Sequence, residues 1–286
     1  MNYHAFARSI TIAVMVVVGH MTGEMSAADP WADRVVKHIP GTGILNDFVT
    51  GDPLSDPTTA LGEPTRFTSD PAHFGGAVTP FQSPFRADEV VSIGEGGVLV
   101  LEFDDPVLDD PANPFGIDLL LFGNAFYFDD DFPNGVAGAS ATENGEVALS
   151  ADGINFITVS GIVADGIFPT LGYADVADPF QSTPGGQLTD FTQPVDPTFD
   201  PTGLSFAAIV AGYGGSGGGA GVDLAPSGLS QISFVRITNP VGSGETPEID
   251  AVADVTPVPE TASALPTLLG ILAMCMMTSC RSVPTG

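Results

Sequence analysis

The stretch Glu146-Val-Ala-Leu-Ser-Ala-Asp-Gly-Ile-Asn-Phe-Ile-Thr-Val159 decides the fold class. Its two ends are short runs of apolar and β-branched residues, and Asp152-Gly153 between them is a pair that tolerates positive φ, so the segment reads as a β-hairpin. Outward from it the same rhythm recurs. Residues 98–103 (VLVLEF), 117–122 (IDLLLF), 204–211, 232–238 and 249–255 read as further strands between Gly, Pro, Asn and Asp clusters. Almost no 3.6-residue periodicity persists from Trp31 to Asp254. Residues 117–122 are apolar apart from Asp118, which predicts a central strand covered on both faces or a strand at the sandwich core. Long loops are expected at 47–86, 129–144, 165–201 and 212–228. The run 214–219 (GGSGGG) is expected to be flexible, and it is not a phosphate loop because no helix signature and no Lys follow it.

Composition agrees with this reading. Thirty-five glycines and 25 prolines are too many for a helical protein and lack the three-residue period of collagen. With 43% hydrophobic residues and 19 phenylalanines there is apolar surface enough for a core. The expected architecture is an all-β, two-sheet, jelly-roll-like sandwich with long loops. Against 35 acidic residues stand seven basic ones, for a net charge of −28. Such a surface repels nucleic acid and attracts divalent cations. The only cysteines, Cys275 and Cys280, are near the C-terminus, so the body has no disulfide framework.

Both ends read as addresses. Arg8 followed by the apolar run ITIAVMVVV at 10–18 and the small residues Ser26, Ala27 and Ala28 make residues 1–28 a secretory signal, with cleavage after Ala28 or Ala27. The apolar run is shorter than the ~20 residues of a spanning helix. The body is then 29–256, and 257–286 is a tail: a Pro-rich linker, an apolar stretch expected to form a membrane helix, and Arg281. Export to the cell envelope or surface, anchored by that helix before any processing, is the expected localisation.

Two resemblances bear on this. The tail, through Val258, Pro259, Glu260 and Arg281, resembles the PEP-CTERM sorting signal, which implies an exosortase-type enzyme as partner. Thr261 stands where that signal has a second Pro, and Arg281 is single where it has several basic residues. The body resembles a bacterial exported family of unknown function through 40–43 (PGTG), 60–64 (ALGEP), 91–97 (VSIGEGG), 119–126 (LLLFGNAF), 147–156, 234–237 (FVRI) and 248–252 (EIDAV). Its hairpin, FVRI strand and terminal EIDAV strand are also similar to the discoidin and galactose-binding jelly-roll group. That likeness implies a two-sheet sandwich, loops that bind glycans, and a structural calcium with an acidic residue of the last strand as ligand.

Calcium takes six to eight oxygen ligands, so acidic turns are the candidates. The densest is Asp129-Asp130-Asp131-Phe132-Pro133-Asn134, in which Asp129, Asp130, Asp131 and Asn134 could ligate or simply be solvated. A second candidate joins Asp250 to Asn124, Glu143 or Asp118. Asp118 and Asp250 interrupt apolar strands, so if they point inward they need partners. Trp31, Tyr127, Tyr173 and Tyr213 are the aromatics that could serve a glycan, with Tyr127 and Tyr213 in expected loops; the alternative is that they are ordinary core or loop aromatics. For catalysis the inventory is thin: His38, His73 and Lys37 are the only histidines and lysine of the body, and it holds no cysteine. The expected function is a non-enzymatic cell-surface or extracellular-matrix protein that binds calcium, a glycan or both. The alternative is an extracellular polysaccharide hydrolase using a carboxylate pair.

Overall fold

A computed structural model describes residues 29–68 and 75–255. The signal segment with its cleavage site at Ala28, and the tail with Val258, Pro259, Glu260 and Arg281, lie outside the described residues. Among those described, no helix is long and apolar enough to cross a membrane.

Strands are numbered in chain order. One five-stranded antiparallel sheet runs β1 (Arg34–Ile39), β5 (Val98–Leu108), β12 (Gln231–Thr238), β9 (Glu146–Ser150), β10 (Ile157–Thr158). A four-stranded antiparallel sheet runs β11 (Ala220–Val222), β6 (Leu119–Gly123), β13 (Glu248–Asp254), β4 (Val91–Ser92). Alternation along the strands sends Leu99, Leu101, Val147, Leu149, Val235 and Ile237 of the first sheet into one buried cluster with Leu119, Leu121, Ile249 and Val252 of the second. That shared core makes the two sheets a sandwich.

The expected hairpin is present. Leu149 pairs with Ile157 and Ala148 with Thr158, and Gly153 sits at φ +70° in the turn. The Asp152 carboxylate accepts from the Ile154 and Asn155 main-chain N–H groups at 2.9 and 2.8 Å, which closes the loop locally. The expectation for 117–122 also holds. Leu119 and Leu121 face the shared core, while Leu120 and Phe122 face a second cluster with Ala251, Ala253 and Phe191, so β6 is covered on both sides.

Two expectations are corrected. Residues 204–211 do not form a strand: Phe206–Tyr213 is a helix, α1, with Ser205 before it and Gly214 in the left-handed region after it. Phe206, Ile209 and Tyr213 are its buried side, a helical spacing in a run too short for periodicity to settle. The glycine run is packed rather than flexible. A Cβ at Gly217 would collide with the Phe191 ring, and Ser216 is buried with its hydroxyl on the Gln193 carbonyl.

The long loops build a core of their own. It contains Phe81, Tyr127, Phe168, Leu171, Tyr173, Phe206, Ile209 and Tyr213, framed by α1 and the pair β7 (Phe126–Asp129) and β8 (Ala137–Ala141). A small ladder of β2 (Phe67–Thr68) and β3 (Gly76–Ala77) completes the strands.

Candidate metal centre

β6 ends at Gly123, and the chain turns there so that Asn124 and Ala125 lead into β7. At this turn three carboxylates from distant parts of the sequence meet. Glu143 follows β8, Asp165 follows β10, and Glu248 opens β13. One oxygen from each lies within 4.8 Å of the others. Asp165 is 1% and Glu248 0% exposed, and Glu143 is half-buried.

Each is held in place by the fold. Glu143 and Asp165 pair as a short bridge, each N–H donating to the other's carbonyl at 3.3 Å. The Ala125 N–H donates to Asp165 Oδ1 at 2.8 Å, and the Ser92 hydroxyl donates to Glu248 Oε1 at 3.0 Å. The Asn124 side-chain amide closes the group. Its inward-facing atom lies 2.9 Å from Asp165 Oδ2 and 3.2 Å from Glu248 Oε2. As nitrogen that atom donates to both carboxylates; as oxygen it can face them across a shared cation or accept from a protonated carboxyl. Gly123 leaves the room. A Cβ there would collide with Asp165 Oδ1 and with the Glu248 carbonyl oxygen.

The electrostatics are unbalanced. Arg34 pairs with Glu102 and Asp104, Arg66 with Glu63, Arg86 with Asp47, and the Arg236 guanidinium lies 4.3 Å over the Phe156 ring. No ion pair among the described residues reaches the three carboxylates. Burial, and then the neighbouring Glu143 and Asp165, push the Glu248 carboxyl up to about 10. Burial also pushes Asp165 well above the usual carboxylate range, against the N–H of Ala125 and with the charge of Glu143. Without a cation, burial and mutual repulsion favour the protonated forms of Asp165 and Glu248. A divalent cation would displace the protons, and the donor set of three carboxylates and an amide oxygen is that of a hard ion such as calcium. These residues fit such an ion.

Of the residues expected from sequence, Asn124 is brought into this group, together with Glu143. Asp250 is not. It is buried two residues along β13, but there two residues of β13 oppose one of β6, since Ile249 pairs with Gly123 and Ala251 with Phe122. The Asp250 carboxylate accepts instead from the Thr65 N–H at 2.8 Å and hydroxyl at 3.0 Å; burial nevertheless pushes it up to about 8. Asp118 is likewise buried and partnered, accepting from the Asp110 N–H, the Asn113 amide and the Leu224 N–H. Its oxygens also lie near Asp109 and Asp223, the other close acidic trio among the described residues.

The run Asp129 to Asp131 does not converge. Asp129 accepts from the N–H groups of Asp131, Gly135 and Val136 at 2.9 to 3.0 Å, and Asn134 donates to Asp131 at 3.1 Å. Asp130 is exposed, with its carboxylate against Gly138. These residues shape a turn. Tyr127 and Tyr213 are not exposed platforms: at 3% and 2% exposure they are core residues, with hydroxyls donating to the carbonyls of Ile167 at 2.9 Å and Pro169 at 3.0 Å. A loop-built core needs large side chains with a polar tip, and tyrosine supplies both.

Sequence reasoning missed Asp165 and Glu248 as ligands. Asp165 sits in an Ala-Asp-Gly stretch that reads as an ordinary turn, and Glu248 precedes the apolar part of its strand. The available signal was the 248–252 landmark, whose first acid, not its second, reaches the site.

No family model matches the chain, and no curated protein matches it. Among solved structures it is similar to the CBM32-1 domain of a family 31 glycoside hydrolase from Clostridium perfringens, at 9% identity and a TM-score of 0.24, over 80% of this chain and 99% of that one. At that TM-score the likeness carries no argument about ligand or activity.

Proposed function

We propose that this protein is a non-enzymatic, exported β-sandwich that binds a calcium ion through Asn124, Glu143, Asp165 and Glu248. The observation that carries the reading is the meeting of three carboxylates, two of them fully buried, with no ion pair among the described residues to balance them. A hydrolytic pair is the poorer reading of the same group. Glycosidase carboxylates stand roughly 5 to 9.5 Å apart across a sugar, whereas these oxygens crowd within 4.8 Å of one another in buried surroundings.

Export and envelope attachment come from the two terminal segments, with an exosortase-type enzyme acting on the tail, and calcium is abundant where such a protein would work. Sites in extracellular modules bind it at about 10⁻⁴ to 10⁻³ M. Titration calorimetry of the mature protein with calcium should show one site in that range, abolished by Asp165→Asn. Absence of binding in the wild-type protein would sink the reading.

Binding of an extracellular polysaccharide has one observation in its favour. A groove between β8 and residues 197–202 presents Phe168 and Phe199 beside Ser140, Thr198 and Thr202, an apolar wall with hydroxyls at its rim. Affinity electrophoresis should show retardation by a polysaccharide that Ser140→Trp, which fills the groove, removes; equal mobility of both proteins on every polysaccharide tried would refute it.

A further inference from the structure

The cation ligands are spaced along the chain in a way that binding alone does not require. Asn124 lies between β6 of the sandwich and β7 of the loop-built core. Glu143 lies between β8 of the loop-built core and β9 of the sandwich. Asp165 lies between β10 of the sandwich and the segment that supplies Phe168, Leu171, Tyr173, Val176 and Val195 to the loop-built core. Glu248 belongs to β13 of the sandwich alone. Three of the four ligands therefore sit where the chain crosses between the two cores, and the fourth anchors them to the central part of the smaller sheet.

We propose that the site is a clasp: the bound cation pins the loop-built core to the sandwich, and its removal releases the first while leaving the second folded. This rests on the cation reading above. Without the ion, Glu143 and Asp165 at two of the crossings and Glu248 beside them share no ligand; they either repel one another or must take up protons, and separating the crossings returns the carboxylates to water. The two cores differ in what else holds them. The sandwich has continuous ladders, such as the five consecutive pairs of β12 with β9 from Phe234–Ser150 to Thr238–Glu146. The loop-built core closes on scattered main-chain bonds, among them Ala137 N–H to the Leu204 carbonyl at 3.0 Å and Leu171 N–H to the Gly217 carbonyl at 2.9 Å. It is therefore the unit expected to open first. Phe191, packed on Phe122 with ring centroids 5.2 Å apart, is an apolar attachment that needs no ion, so release means local opening rather than detachment.

Hydrogen exchange on the mature protein, with excess calcium and then with chelator, tests this, and calorimetry on the same sample tests the reading beneath it. If opening frees the ion, removal of calcium speeds exchange at Ala137, Leu171 and Ile209 by a factor approaching 1 + [Ca]/Kd, about a hundredfold at 100 times Kd. Exchange at Leu101 and Val235 stays within about threefold. Glu143→Gln, at a half-buried position where a fold is easily kept, should leave exchange in the loop-built core insensitive to calcium. Calcium binding with equal acceleration in both cores, or in neither, overturns the clasp and leaves the cation site standing. No calcium binding removes both.

Discussion

The two cores of this molecule are made of different residues. Among the described residues, the core between the two sheets is aliphatic, with Phe103 as its only buried aromatic residue, whereas half of the buried residues of the loop-built core are Phe or Tyr: Phe81, Tyr127, Phe168, Tyr173, Phe206 and Tyr213. The difference follows from backbone regularity. Paired strands present side chains at fixed intervals across a gap of about 10 Å, which Val, Leu and Ile fill by interdigitation. Irregular loops present them at uneven heights. Large rings span the uneven gaps, and tyrosine hydroxyls satisfy carbonyls that no ladder reaches.

Substitutions should separate the two cores by size of effect. Leu121→Ala, at the centre of the sandwich and fully buried, should cost about 3 to 5 kcal/mol, read as a lower denaturant midpoint for the whole molecule. A shift confined to probes in the loop-built core would show that the sandwich does not govern global unfolding.

Next in size is the cation effect, about 2.7 kcal/mol at calcium 100 times Kd, with a definite pH dependence. The Glu248 carboxyl rises from 4.5 to about 10 on folding, so without calcium the folded protein holds more protons than the unfolded chain across that window. The stability this group contributes is full below pH 4.5 and is lost as pH rises toward 10. Asp165, raised for the same cause, acts in the same direction. Calcium holds the carboxylates ionised and cancels the loss. The gap in melting temperature between calcium-loaded and chelated protein should therefore widen steadily from pH 5 to about pH 8; a gap that narrows would put the proton-bearing groups elsewhere.

The smallest effect is Tyr213→Phe. It removes the hydroxyl bond to the Pro169 carbonyl but keeps the ring, and should cost about 1 kcal/mol by chemical denaturation. No measurable change would mean that the ring alone holds that part of the loop-built core.

This contrast also explains what could be read beforehand. The strands of the sandwich carry their own signals, the Asp152-Gly153 turn and the apolar run 119–122 above all, because regular pairing imposes regular sequence. Helix α1 reads as a strand in the sequence because its eight residues hold only just over two turns. Its real markers were Ser205 before it and Gly214 after it. At the cation site Asn124 and Glu143 stood out as polar residues beside apolar strands. Asp250 seemed the equivalent residue of the last strand, but the extra residue in β13 there breaks the alternation, and no sequence pattern announces a bulge without glycine. Burial of Tyr127 and Tyr213 was hidden for a similar reason, since a core made of loops has no period to detect.

The most direct measurement is a crystal grown with calcium and examined by anomalous scattering. The account predicts one peak bounded by Asn124, Glu143, Asp165 and Glu248, with oxygens at about 2.3 to 2.6 Å and the Asn124 amide oxygen turned inward. A peak among Asp129, Asp130 and Asp131 instead, or none at all with the Asn124 nitrogen donating to Asp165 and Glu248, would contradict it.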